Sequence, residues 1–176
     1  MITFINSDQV GATNVQNVTR SRTIPSGSNQ ILIVAAMSEE NTSSGLVTAI
    51  TYNSVSMTSL GSAVGTNSTT SWVRTYVYYM VNPPVGTADI VVTRDAVVDG
   101  SNVLSVIFSG VNTSNPFNVH GGNNGAGVTS LSTTVTTTAA PTTLIGFVAA
   151  STGGGITNDG SQTAIESNSN DNFSKS

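Results

Sequence analysis

Cysteine is absent from the 176-residue sequence, and charged residues are scarce. The missing cysteines exclude disulfide bonds, thiol catalysis and cysteine-ligated zinc. Charged residues form only 8% of the chain, against about 25% in an ordinary soluble domain. Serine, threonine and asparagine replace them and make up roughly two-fifths of the sequence. A surface of hydroxyls and amides carries little charge repulsion, so this composition favours a protein that packs against its neighbours.

Basic residues are also few and scattered, and the formal net charge is −4. Binding to a nucleic acid backbone requires a cluster of lysine or arginine side chains, and the sequence offers none. The longest apolar run, Ile31–Met37, is too short to cross a membrane. The N-terminal residues lack the pattern of a signal peptide. We therefore expect no nucleic acid and no membrane as partners, and assembly in a cytoplasm.

The residue combinations of common enzymes are missing. His120 is the only histidine, and no Gly-x-Ser-x-Gly nucleophile motif is present. Most carboxylates lie in predicted turns, where they stabilise the turn, so no acid pair for glycoside hydrolysis stands out. We predict that the protein is not an enzyme and has no cofactor.

One loop is a candidate for calcium binding. Asp95, Asp99 and Asn102 lie close together in the sequence between two predicted strands. Hard oxygen ligands of this kind bind calcium in the loops of β-sandwich proteins, although the spacing matches no EF-hand. Calcium is therefore the one metal that the sequence leaves open.

Segments with the residue pattern of a β-strand, by contrast, follow one another closely along the sequence. Ile31–Met37 is a continuous apolar run between turn residues, which predicts a strand buried on both faces. Leu46–Tyr52 and Val55–Leu60 flank Asn53-Ser54, and this predicts a hairpin with a two-residue turn. Further strands are predicted at 72–81, 88–93, 102–108, 128–138 and 143–150.

These strands predict an all-β fold: an antiparallel β-sandwich, jelly-roll-like, with about eight to ten strands. An internal similarity between 18–36 and 135–150 suggests two equivalent strand pairs, early and late in the chain, as a jelly roll requires. Chance similarity between two low-complexity β segments is the alternative. We assign residues 1–166 to a single domain and 167–176 to a polar C-terminal tail.

The strand at 72–81 holds the most distinctive side chains. If its odd-numbered residues face the core, then Trp72, Arg74, Tyr76 and Tyr78 share the opposite face. Aromatic rings beside an arginine would form a platform for a protein interface or for stacking on sugar rings. The alternative is a central strand with both faces covered.

Several segments, in this order, resemble a widespread jelly-roll-like β-sandwich module of phage virion proteins and bacterial surface proteins, whose function is largely unknown. They are Ile31–Glu39, Val47–Thr58, Arg74–Met80, Pro84–Thr93 and Phe108–Pro116. The likeness covers roughly residues 30 to 150, and each motif is short. Asn53-Ser54 replaces the Gly-Gly that is usual in the hairpin turn of that module. The resemblance implies a β-sandwich and supplies no catalytic residue.

These features together predict a non-enzymatic virion structural protein: a capsid decoration, head-fibre or tail-appendage subunit. Its partners would be copies of itself or other shell proteins, and its location the virion. Two alternatives stay open. One is a carbohydrate-binding or adhesin module that uses the aromatic strand to bind glycans. The other is a self-assembling extracellular filament subunit, on a cell surface, that exchanges strands with its neighbours.

Overall fold

The computed structural model describes residues 1–68, 71–125, 128, 130–138 and 142–150, with the backbone alone for 63–68 and 71. The described residues form strands and no helix, so none could cross a membrane as a helix. Nine strands lie within the described residues: β1 (Thr3–Val15), β2 (Val18–Ile24), β3 (Ile31–Glu40), β4 (Val47–Tyr52), β5 (Val55–Ser56), β6 (Thr58–Ser68), β7 (Ser71–Val81), β8 (Gly86–Arg94) and β9 (Val98–Ser109).

The strands form two antiparallel sheets that pack face to face. The first sheet has five strands in the order β1-β9-β3-β7-β6, and the second has four in the order β2-β8-β4-β5. The first of these strands in the sequence pairs with the last, and the pairing continues toward the middle of the sequence: β1 with β9, β2 with β8, β3 with β7, and β4 with β5. This nested pairing is that of a jelly roll, with β6 added at one edge. The predicted antiparallel β-sandwich is confirmed.

The central strand β3 is buried on both faces, as its apolar run predicts. Leu32, Val34 and Ala36 point toward the second sheet and join the core between the two sheets. Ile33 and Met37, on the alternate side, belong to a second apolar cluster on the outer face of the five-stranded sheet. Removing one of the larger side chains, such as Leu32 or Ile33, from water contributes about 1.5–3 kcal/mol.

The chain after β9 covers this outer face. Phe117, Ile145, Phe147 and Ala149 pack against the outer cluster, and the Phe117 ring meets Tyr79 edge to face at 4.8 Å. The odd-numbered side chains at 145–149 point to the sheet, as they would from a strand.

The strands predicted at 128–138 and 143–150 are not found in the described parts of those stretches. At 145–149 the alternation of apolar residues reflects a covering layer that packs through its side chains without joining a ladder of hydrogen bonds, whereas the described residues of 128–138 are mostly exposed. The similarity between 18–36 and 135–150 therefore does not mark equivalent strand pairs. The matching ends of the jelly roll are β1 and β9, and the predicted boundary at residue 166 lies outside the described residues.

The hairpin between β4 and β5 forms as predicted. Asn53 and Ser54 both have positive φ, 50° and 63°. Two successive positive φ values define the turn that matches the twist of the flanking strands, and asparagine tolerates this conformation. Tyr52, the last residue of β4, is buried and donates its hydroxyl to the Gly86 carbonyl at 3.0 Å. The hairpin is thereby joined to β8.

Candidate functional site

The predicted aromatic platform on β7 points into the sandwich. Tyr76 and Tyr78 are half-buried and pack against the core between the sheets. Arg74 is only 2% exposed, and the central carbon of its guanidinium lies over the Trp72 ring, 5.2 Å from the ring centroid. Burial raises the pKa of the Tyr76 hydroxyl. Of the two arrangements, the central strand with both faces covered is the observed one.

Arg74 instead forms a buried ion pair. Its Nη1 lies 3.1 Å from Oε1 of Glu40, and both side chains are nearly inaccessible to solvent. The same guanidinium donates to the carbonyls of Ser44, at 2.8 Å, and Thr42, at 3.3 Å. An arginine is suited to this role because its planar fork presents several donors at once. The pair therefore fastens the loop between β3 and β4 to β7.

Gly45 completes that loop. Its φ is +79°, and a Cβ there would lie 2.5 Å from Cγ1 of Val98 and 2.9 Å from the Glu40 carboxylate. Both the backbone conformation and the close approach require glycine. The loop can therefore close over the ion pair only with this residue.

A second buried arginine lies at the same end of the sandwich. Arg94, the last residue of β8, donates to Oγ of Ser101 at 2.7 Å and to the Gln16 carbonyl at 3.4 Å. Burial lowers its pKa to about 10, while the charge of Glu40 acts in the opposite direction. This end of the core thus holds two arginines and one glutamate, whereas the middle of the core is apolar.

The three calcium candidates do not share one set of contacts. Asp95 accepts a hydrogen bond from the backbone N–H of Leu46 at 2.7 Å, which fixes the start of β4. Asp99 accepts from Nδ2 of Asn41 at 2.7 Å. Asn102 is 1% exposed, within β9 rather than in a loop. Among the described residues, no three acidic or histidine side chains form a group that could hold a metal.

The described surface includes two shallow depressions. The first, about 360 Å³, lies beside Met1, Gln30 and Gly110, and no charged or histidine side chain lines it. The second, about 410 Å³, lies on the outer face of the four-stranded sheet, and its one charged lining residue is Asp89. Neither depression brings a nucleophile and a base together, as catalysis of acyl transfer requires.

The edges of the five-stranded sheet are its most accessible backbone. β6 forms one edge; within the described part of the chain it pairs with β7 alone. Its 11 residues, TSLGSAVGTNS, include no charged residue and no proline. β1, the opposite edge, has 13 residues and a single charge, Asp8. Soluble proteins usually protect such edges with charge, proline or short strands.

The sequence interpretation missed three of these features: the Glu40–Arg74 pair, the burial of Arg94, and the edge strand β6. Glu40 lies three residues after the apolar run of β3, and this position is the one signal that it continues a buried strand. β6 has two glycines and few large apolar residues, so its pattern resembles a loop.

Comparisons with known protein families, curated proteins and solved structures found no match for this chain. The arguments about function therefore rest on the fold and on its surface.

Proposed function

We propose that this chain is a non-enzymatic structural subunit of a virion, a capsid decoration, head fibre or tail appendage, that acts by protein–protein assembly. The observation that carries the proposal is the long, uncharged edge strand β6. The jelly-roll topology and the resemblance of several sequence segments to a phage virion module give it further support.

An exposed edge strand has backbone N–H and C=O groups that can bind a further strand. Two register shifts with β7 interrupt β6, one between Ser59 and Gly61 and the other between Thr66 and Ser68. Between them, Gly61–Thr66 pairs with β7 in regular register. This six-residue stretch is about the length of an average strand, so it is the part of the edge that suits a strand from a partner.

The low charge of the chain favours the same function. A lysine placed on an edge strand opposes its pairing with another strand, and the only lysine of this chain is Lys175. The formal net charge of −4 over 176 residues gives little repulsion between copies. The partner is therefore a second copy of this chain or another subunit of the shell.

Light scattering behind a sizing column tests the proposal. We expect a mass above that of the 17.9 kDa monomer, rising with concentration. Ser62→Lys places a charge on the exposed edge of β6 and should shift the mass toward the monomer. Ser43→Lys makes the same change in an exposed loop and should leave the mass unaltered.

A wild-type protein that stays monomeric leaves binding to the capsid shell as the deciding measurement. Co-sedimentation with shells of the encoding phage should then show binding that Ser62→Lys weakens and Ser43→Lys does not. A monomer that also fails to sediment with those shells would overturn the proposal.

The described surface gives less support to the carbohydrate-binding alternative. Sugar stacking requires accessible aromatic faces, and Tyr76 and Tyr78 pack against the core between the sheets. The filament alternative requires the same strand edge as the virion proposal, so the effect of Ser62→Lys would not distinguish the two. Binding to capsid shells would distinguish the virion subunit from the filament subunit.

A further inference from the structure

The two sheets have four edge strands, which differ in how well they could bind a further strand. β1 and β6 are the edges of the five-stranded sheet, and β2 and β5 are those of the four-stranded sheet. β5 has only two residues, Val55 and Ser56, so it offers very little backbone for pairing. The other three edge strands are long enough, and charge distinguishes them.

Arginine side chains close the side of the sandwich where β1 and β2 lie. Arg20 on β2 forms an ion pair with Asp8 on β1, with Nε and Nη2 at 2.8 Å and 3.0 Å from the two carboxylate oxygens. Nη2 of Arg22, also on β2, donates to the backbone carbonyl and the side-chain Oδ1 of Asn6. Charged groups on an edge oppose pairing, because an added strand would displace them or remove them from water. β1 has few charges of its own, but β2 supplies them to both edges.

The opposite side of the sandwich has no such charges. The sequence from 41 to 73 includes no Asp, Glu, Lys or Arg, and this range contains β4, β5 and β6. The next residue, Arg74, is buried in its ion pair with Glu40. Within the described part of the chain, β6 is therefore the one edge strand that is both long and free of charge.

An uncharged edge is complementary to the same edge of a second copy. A two-fold contact uses one surface on both copies. Antiparallel pairing of β6 with β6 places no like charges opposite each other and removes both open edges at once. Pairing of β6 with β1 would instead bring the second strand against the Arg20–Asp8 ion pair. The edges of this chain therefore favour self-pairing over head-to-tail pairing.

Backbone geometry limits where the two-fold axis can lie. Successive residues of a strand direct their N–H and C=O groups to opposite sides. Two copies of one strand can therefore form antiparallel hydrogen bonds only in a register that places one residue opposite its own copy. The regular stretch of β6 is 61–66, between its two register shifts. An axis at Ala63 or Val64 keeps the paired residues within this stretch.

We propose that β6 pairs antiparallel with β6 of a second copy, across a two-fold axis at Ala63 or Val64. The five-stranded sheets of the two copies then form one continuous sheet. This inference rests on the proposed assembly function and identifies the partner at the β6 edge. Because each copy has one edge of this kind, the contact is closed and the assembly stops at a dimer.

The absence of cysteine makes disulfide trapping a direct test of this register. Residues that face each other in an antiparallel pair have Cα atoms about 4.5–5.5 Å apart, and a disulfide spans about 4.4–6.8 Å. We expect Ala63→Cys or Val64→Cys, whichever lies on the axis, to form a disulfide-linked dimer under mild oxidation. The yield should exceed that of Ser43→Cys, in an exposed loop, by about tenfold, because pairing raises the effective thiol concentration.

Light scattering of the wild-type chain tests whether the assembly is closed. The mass should level off at twice that of the monomer as the concentration rises. A mass that grows beyond the dimer would overturn self-pairing, because growth requires two different surfaces. A disulfide yield no higher than that of Ser43→Cys in both β6 variants would also overturn it.

Binding to capsid shells separates this failure from that of the proposed function. If self-pairing fails but the chain co-sediments with shells, then the assembly function stands and a shell subunit occupies the β6 edge. If the chain is a monomer that forms no specific disulfide and binds no shell, then both proposals are overturned.

Discussion

The two interior strands β3 and β8 show two ways in which a strand is buried in this protein. Nine of the ten residues of β3 are buried, and the other, Glu39, is half-buried. In β8, buried residues alternate with exposed or half-buried ones from Asp89 to Arg94. Both strands have neighbours on each side in their sheets. They differ because the outer face of β3 is covered by the chain after β9.

The difference explains the two sequence patterns. A strand covered on both faces is a continuous apolar run, whereas one with an open face alternates between apolar and polar residues. Ile31–Met37 is such a run, and Thr87–Thr93 alternates except at Val91. Burial of β3 therefore depends on a covering layer that β8 does not need, and the predictions below test this dependence.

The largest effect on stability is expected at Glu40, the charged residue at the end of β3 on its inner face. Glu40→Gln removes the charged partner of Arg74 and leaves that arginine buried and unpaired. We expect a loss of about 3–5 kcal/mol in the free energy of unfolding, measured by urea denaturation. Glu39→Gln is the matched control: it removes the adjacent carboxylate, which repels Asp99, and should be neutral or stabilising.

Replacing the pair by apolar residues sharpens that test. Arg74→Met with Glu40→Leu should recover much of the loss, because a buried ion pair is often no more stabilising than apolar residues of similar volume. If Glu40→Gln alone is neutral, then the pair does not fasten the β3–β4 loop as described.

The next largest effect compares the outer faces of the two strands. Ile33→Ala, under the covering layer on β3, should cost about 2–5 kcal/mol, because it leaves a cavity among well-packed side chains. Val91→Ala, on the outer face of β8, should cost less than about 1 kcal/mol, because that face meets solvent. Equal losses in urea denaturation would mean that the covering layer does not bury β3.

The smallest effect concerns the edge where the two sheets meet. The hydrogen bond from Arg20 of β2 lowers the pKa of Asp8 on β1. A lowered carboxylate pKa stabilises the fold above the ordinary aspartate pKa, and this contribution is lost as the pH falls through the lowered value. Arg20 is 43% exposed, so solvent screens the pair and its contribution should be about 0.2–1 kcal/mol.

Urea denaturation of the wild type and of Asp8→Asn across a pH series measures the contribution of this ion pair to the free energy of unfolding. The stability difference between the two proteins should be present at neutral pH and disappear in strongly acidic buffer. If this stability difference does not change with pH, then it arises from packing and not from the charge of Asp8.

Local patterns were enough to predict the fold class. The apolar run of β3 and the turn residues Asn53-Ser54 each determine a structure over a few residues, and both predictions are confirmed. The strands predicted at 128–138 and 143–150 are wrong, since alternation, where it holds at 145–149, shows only which side chains pack against the sheet. It does not show whether the backbone has a partner strand.

The site residues depended on long-range contacts and could not be predicted. Glu40 and Arg74 are 34 positions apart, so nothing local indicates that they pair. An isolated arginine on a strand is usually exposed, and this made an outward platform a reasonable interpretation of Trp72–Tyr78.

The nested pairing of the strands has a consequence for how the chain folds during synthesis. β1 ends at Val15, but its partner β9 begins only at Val98. At about 5–20 residues per second, the ribosome needs roughly 4–17 s to make the intervening chain. Throughout that interval the first strand has no native ladder to join, and such non-local pairing is slow to form. The nascent chain is therefore most exposed to wrong association while it is still attached to the ribosome.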